Sequence, residues 1–157
     1  MATDFLLEIE GIKGESKDHK HKDTIECHSF SWGGTNSGTM AAGGGGGAGK
    51  ANFQDLSFSF TACKASPELF GACATGKHIK KAVLFVRKAG EEAHDYYKVT
   101  LEDILVSSYQ SGGHGETPSD SSSLNYAKIK FEYQEQDEKG AIGAAVVATY
   151  DLKAGKK

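Results

Sequence analysis

The chain has 157 residues, a length that fits one domain, since single domains fall most often near ~100–150 residues. Its 38% apolar and 25% charged content is that of an ordinary globular protein, and a net charge of −3 argues against a nucleic-acid binder with a basic footprint. No apolar run approaches the roughly 20 residues of a membrane-spanning helix, and Met1-Ala2-Thr3-Asp4 lacks the basic and apolar regions of a cleaved signal peptide.

Period-two alternation dominates the chain and predicts half-buried strands. Phe5, Leu7 and Ile9 share one face against Asp4, Glu8 and Glu10. Ile25 and Cys27 hand over to Phe30 and Trp32, a change of phase that predicts a bulge. Ser29 and Ser31 then lie opposite Phe30 and Trp32, presenting a small polar surface that suits either ordinary solvent or the wall of a water-filled channel. Leu56, Phe58 and Phe60 alternate with Ser57 and Ser59. Ala82 to Val86 is apolar throughout, as expected of a strand covered on both faces. Tyr97, Val99 and Leu101 form another strand, and a second change of phase leads to Ile104 and Val106. Ile129, Phe131 and Tyr133, then Val146, Ala148, Tyr150 and Leu152, complete the pattern.

One helix is predicted after Lys64. Ser66 is expected to cap it, Pro67 to take its first position, and Gly76 to end it in the left-handed conformation. About eight strands and one short helix define a mainly β fold, a two-sheet barrel or sandwich. Three polar stretches break it: a Lys/His/Asp loop from Gly14 to Asp23, a glycine-rich loop over about 33–51, and a Gly/Ser/Asp/Pro loop from Gly112 to Ser123. Nine of the 20 glycines fall in the second of these, six of them between Gly43 and Gly49.

Motifs for chemistry are sparse. Gly44, Gly49 and Lys50 match the front of a phosphate-binding loop. Ala51 then stands where Ser or Thr must hold Mg²⁺, and a strand follows where a helix is required. His19 and His21 form an H-x-H pair, but Lys17, Lys20 and Lys22 oppose a divalent cation there, so a solvated loop is the expectation. No Gly-x-Ser-x-Gly elbow and no pair of C-x-x-C sites occurs. Cys27, Cys63 and Cys73, an odd number, read as free thiols. The expectation is therefore a protein without catalytic residues, cofactor or metal.

Taken in order, these residues resemble the hemolysin-coregulated protein (Hcp) family, tube proteins of the type VI secretion system. The resemblance runs through Lys13-Gly14-Glu15-Ser16-Lys17-Asp18, Ser31-Trp32-Gly33, the glycine loop ending Gly49-Lys50, and Phe53-x-Asp55-Leu56-Ser57-Phe58. It continues through Ser66-Pro67-x-Leu69, Gly76-Lys77-His78, Arg87-Lys88-Ala89-Gly90, Val106-Ser107-Ser108 and Leu124-Asn125-Tyr126-Ala127-Lys128-Ile129. It thus covers nearly the whole chain. Departures are Ala62-Cys63-Lys64, where an acidic residue is expected before the lysine, and the serine-rich run before Leu124.

The resemblance implies one tube domain over residues 1–157 that assembles into a homohexameric ring. Rings stack into the inner tube, which a sheath propels behind a spike, and the lumen carries small effector proteins. Nucleic-acid binding and membrane insertion are not expected, and the protein works in the cytoplasm until this machine secretes it. On this basis Ser29 and Ser31 are expected to face the lumen. Met40, Gly43, Gly44, Gly45, Gly46, Gly47, Gly49 and Lys50 are expected to form a ring-stacking loop. Gly14, Glu15, Ser16, Trp32, Gly33, Asp55, Ser66, Pro67, Gly76 and Arg87 are expected to be structural. The competing expectation is a stand-alone secreted β-sandwich with lectin-like or adhesive binding. A fused toxin domain is not expected, because the chain ends five residues after Leu152.

Overall fold

A computed structural model describes residues 3–38, 40, 50–88, 94–136 and 142–157. Seven strands and one helix follow in the order β1 (Thr3–Ile9), β2 (Ile25–Asn36), β3 (Ala51–Thr61), α1 (Ala65–Thr75), β4 (His78–Lys88), β5 (Asp95–Gly112), β6 (Ser119–Gln136) and β7 (Ile142–Asp151). All neighbours are antiparallel, in the order β3-β2-β1-β4-β5-β6-β7. A further pairing of β3 with β6 closes the sheet on itself. The barrel is thus one continuous sheet, and closure removes most of the edges that an open sheet exposes.

Closure depends on the length of β6. Its first half, Ser119 to Leu124, pairs with β3, whereas its second half, from Lys128 onward, pairs with β7. Both halves pair with β5 on the other side. The strands number seven among the described residues where about eight were expected, and Leu101 and Ile104 lie in one strand with a change of phase between them, as expected. Asp103 lies between them with φ 54°, a left-handed conformation that reverses the facing of the residues beyond it. The partner strand turns over at the same level, so Ile104 pairs with Tyr126 and Leu101 with Ile129, all four buried. The predicted bulge in β2 is present as register shifts between Cys27 and Ser29 and between Ser31 and Gly33.

Leu7, Ile25, Leu56, Phe60, Leu84 and Leu124 fill the barrel interior. Helix α1 adds Ala65, Leu69 and Ala72 to the same cluster, so its apolar stripe is buried against the barrel. Full burial of one such leucine stabilises by about 1.5–3 kcal/mol. Gly76 ends the helix at φ 66°, where a side chain would be strained.

The start of the helix differs from expectation. Lys64, not Ser66, is the residue before the first turn, and its side chain caps nothing. Ser66 lies inside that turn because its hydroxyl is engaged elsewhere: it donates to the Asp120 carboxylate at 2.5 Å and accepts from Cys63 N–H at 3.0 Å. Pro67 follows within the first turn, where a missing N–H costs nothing. The Gly112–Ser123 loop is also shorter than expected, since β5 runs to Gly112 and β6 begins at Ser119.

Candidate functional site

Side chains of a strand alternate between its two faces, and residues in register on neighbouring strands share a face. In β3, Leu56, Phe58 and Phe60 are buried inside the barrel, so Ser57, Ser59 and Thr61 point outward. The register carries these outward positions across four strands. Ser31 of β2 pairs with Ser57 of β3, which pairs with Ser123 of β6, which pairs with Ser108 of β5. The next row is Ser29, Ser59, Ser121 and Gln110. A third holds Thr61, Ser119 and Gly112. These rows contain no ionisable side chain and no aromatic one.

Hydrogen bonds within the grid hold the hydroxyls in place. Ser29 Oγ lies 2.6 Å from Ser59 Oγ, and Ser123 Oγ lies 2.7 and 2.6 Å from Ser107 and Ser108 Oγ. At one margin Asp55 accepts from Ser107 Oγ at 2.6 Å and Asn125 Nδ2 at 2.9 Å. At the other, His28 Nε2 and Thr61 Oγ1 are 2.8 Å apart. Ser29 and Ser31 are exposed and lie together on this wall. Ser119, Ser121 and Ser123 join them although the sequence reading placed them in a loop; their alternation with Asp120, Ser122 and Leu124 was obscured because two of those inward residues are polar.

Beneath the wall Asp120 is buried and accepts from Ser66, Tyr109 and Ser111 hydroxyls at 2.5, 2.7 and 2.6 Å. Burial pushes its carboxyl up, but the hydroxyls of Ser111, Ser66 and Tyr109 outweigh this and hold it below the usual carboxylate range. The network ties α1 to β5 and β6.

The Gly14–Asp23 segment is only partly a solvated loop: Glu15, Lys17, His19, Lys20 and Lys22 are exposed, while Gly14 and Ser16 are buried. It lies over the outer side of β1 and β4, where Phe85 pairs with buried Leu6. His21 stacks on Phe85 with ring centroids 3.9 Å apart, and its Nε2 lies 2.8 Å from Asp95 Oδ2. Arg87 donates from both terminal nitrogens to the Asp18 carboxylate. Arg87 is therefore the main cause that holds the Asp18 carboxyl down at about 2. Gly14 is required here, because a Cβ at this position would fall 2.3 Å from the Thr24 carbonyl oxygen. Glu15 accepts from Lys64 N–H at 3.0 Å, supplying from the loop a partner at the start of α1. Ser16 is buried and accepts from Asp18 N–H.

Trp32 is half-buried, donates from Nε1 to the Tyr97 hydroxyl at 2.8 Å and meets Phe131 edge-on. Gly33 opposes Gln54 at a register shift. Met40 and Lys50 are exposed, and Gly43, Gly44, Gly45, Gly46, Gly47 and Gly49 lie outside the described residues. β3 follows directly on Lys50, so no helix N-terminus meets the glycines there. Burial pushes the Cys27 thiol up to about 12, which makes it unreactive. Among the described residues no group of three or more His, Cys, Asp and Glu is placed to hold a metal, and no helix is long and apolar enough to cross a membrane.

A closed antiparallel barrel, with one helix packed against it and an uncharged hydroxyl wall outside, defines a small β-barrel protein whose distinctive surface is neither a cleft nor a charged patch. Residues 6–133 match the family described as "Type VI secretion system effector, Hcp". "Protein hcp1" of Pseudomonas aeruginosa is 45% identical over 144 residues, which are 90% of this chain and 89% of that one. Among solved structures, Hcp1 from Salmonella typhimurium is 37% identical with a TM-score of 0.83, and a type six secretion system protein is 28% identical with a TM-score of 0.91. Each comparison covers 99% of both chains. The chain belongs to the Hcp family of the type VI secretion system.

Proposed function

We propose that this chain is the structural subunit of a type VI inner tube, with six copies closing into a ring whose lumen is lined by the hydroxyl wall. The observation that carries this reading is the uncharged grid of serines across four strands. A passage for folded cargo needs a surface that water wets and that holds no apolar patch or fixed charge strongly enough to arrest transit. Ser29 and Ser31 lie in that grid and face the lumen, where small effector proteins are held. Rings stack through the segment around Met40 and Lys50, and a sheath and spike drive the tube out. The wall has no aromatic ring on which a sugar can stack, which disfavours the lectin-like alternative.

Two experiments test the reading. The protein is expected in the culture medium of cells with an intact sheath and absent from the medium when the sheath gene is deleted; release that persists without the sheath contradicts tube export. Replacing Ser31 by Trp is expected to preserve the ring and reduce co-purification of a small effector about tenfold, equivalent to ~1.4 kcal/mol. Unchanged co-purification removes Ser31 from the cargo surface.

A further inference from the structure

The rows of the hydroxyl wall are uncharged, but its two margins along the strands differ. Next after the row of Ser31, Ser57, Ser123 and Ser108 stands Asp55. It shares the outward face of β3 with Ser57, because Leu56 between them is buried in the barrel. At the other margin stands His28, beside Thr61. From Asp55 to Thr61 the strand rises about 20 Å, more than twice the Debye length of about 8 Å at physiological ionic strength. The two margins are therefore electrostatically independent, with neutral serines between them.

The Asp55 carboxylate is held in place without being neutralised. Oδ2 accepts from Ser107 Oγ at 2.6 Å and Oδ1 accepts from Asn125 Nδ2 at 2.9 Å, both uncharged donors. Ser107 reaches it through the register shift between Val106 and Ser108, which turns two consecutive hydroxyls of β5 to one side, where Ser123 Oγ meets both. No Lys, Arg or His forms an ion pair with Asp55 among the described residues. Lys50, the nearest cation in sequence, is about 17 Å away along an extended strand. The contrast with Asp120 is informative. Asp120 is buried beneath the wall and serves the fold, whereas Asp55 is half-buried and keeps its full charge at the surface. A cation that reaches Asp55 meets an anion already oriented, so little ordering opposes the contact.

We infer that Asp55 is the residue by which the lumen selects its cargo: it attracts proteins that present a patch of Lys or Arg, and it does so at one mouth of each ring. This rests on the ring assembly proposed above and adds the class of cargo. Every copy in a ring contributes one Asp55 at the same level, so the carboxylates circle the mouth and their potentials add. The serine rows beyond carry no charge and let the captured protein pass. The lumen is polar along its axis, with carboxylates at one rim and imidazoles at the other.

Labelled hexalysine is the probe, with hexaglutamate of the same length for comparison. Binding to the purified ring is read by fluorescence anisotropy at low and high salt, after the native mass of each protein has been measured by light scattering. The unsubstituted ring is expected to bind hexalysine in preference to hexaglutamate, and to lose it at high salt. Asp55→Asn, which keeps the size and one acceptor oxygen, is expected to keep the ring mass and weaken hexalysine binding about tenfold. Glu8→Gln, on the outer side of β1 and away from the wall, is expected to change nothing. Binding that is unchanged in Asp55→Asn, or equally weakened in Glu8→Gln, overturns the assignment, since the acidic surface at large then holds the peptide. Where Asp55→Asn loses the ring mass, Ser57→Lys decides. It sets an ammonium beside Asp55 on the same face and leaves both hydrogen bonds in place, so hexalysine binding that survives it overturns the assignment too. A monomeric mass for the unsubstituted protein overturns the ring and its lumen, whereas a ring with no preference for hexalysine overturns only the selection by Asp55.

Discussion

Asp120 and Arg87 are the two buried charged groups on which most of the local order depends, and each makes a prediction at the scale of one residue. Removing the carboxylate in Asp120→Ala leaves the hydroxyls of Ser66, Tyr109 and Ser111 without their acceptor. The expected loss is about 3 kcal/mol, read from denaturant unfolding at neutral pH. Arg87 acts through Asp18. The Asp18 carboxyl ionises at about 2 in the folded chain against an ordinary 3.8, so folding favours its charged form. That contribution is complete above about pH 5 and disappears as the pH falls through 3.8 towards 2. Arg87→Ala is expected to cost about 2 kcal/mol at pH 7, where the lost pair is mostly shielded from water, and much less at pH 2. A difference between the two proteins that stays constant across this pH range would show that packing, not charge, holds the loop.

At the scale of elements, the Gly14–Asp23 segment is an integral layer over β1 and β4. A methyl group at Gly14 meets the Thr24 backbone, which has nowhere to move because Ser16 N–H donates to the Thr24 carbonyl at 3.0 Å. Gly14→Ala is expected to cost at least about 2 kcal/mol and to expose His21 and Phe85, seen as faster backbone exchange over residues 14–23. Most strands were legible in the sequence because period-two alternation is strong wherever one face is apolar, as in Leu56-Ser57-Phe58-Ser59-Phe60. The first turns of β6 were not legible: Asp120 and Ser122 face inward, and an inward carboxylate satisfied by three hydroxyls leaves no apolar signal. The same network hid the true start of α1, since Ser66 has the composition of a cap but donates to Asp120. The loop over Phe85 was misread in part, for a related reason. Its Lys, His and Asp residues look solvated, and only the fold brings Asp95, Phe85 and Arg87 against His21 and Asp18.

At the scale of the whole molecule, the closed sheet separates two surfaces of different character. The interior is aliphatic and aromatic, while the wall formed by β2, β3, β6 and β5 is covered by hydroxyls without a formal charge in its rows. That half of the candidate site was foreshadowed by Ser29 and Ser31; the rest depended on the β3–β6 closure, a long-range pairing no local pattern announces. On one subunit the wall spans parts of four strands. Repeated around a ring it becomes a continuous lining, and a substitution such as Ser57→Lys places one charge per subunit on it. The account predicts that this variant keeps its assembly and loses effector retention in a manner restored by high salt, since exposed charges are screened within about 8–10 Å at physiological ionic strength.

The central claim is assembly into a six-membered ring, and the native mass of the purified protein by light scattering tests it most directly. The account predicts a mass near six times the 16.7 kDa of the chain. A stable monomer at micromolar concentration would contradict it, leaving the barrel and its Hcp family membership but no lumen for the hydroxyl wall to line.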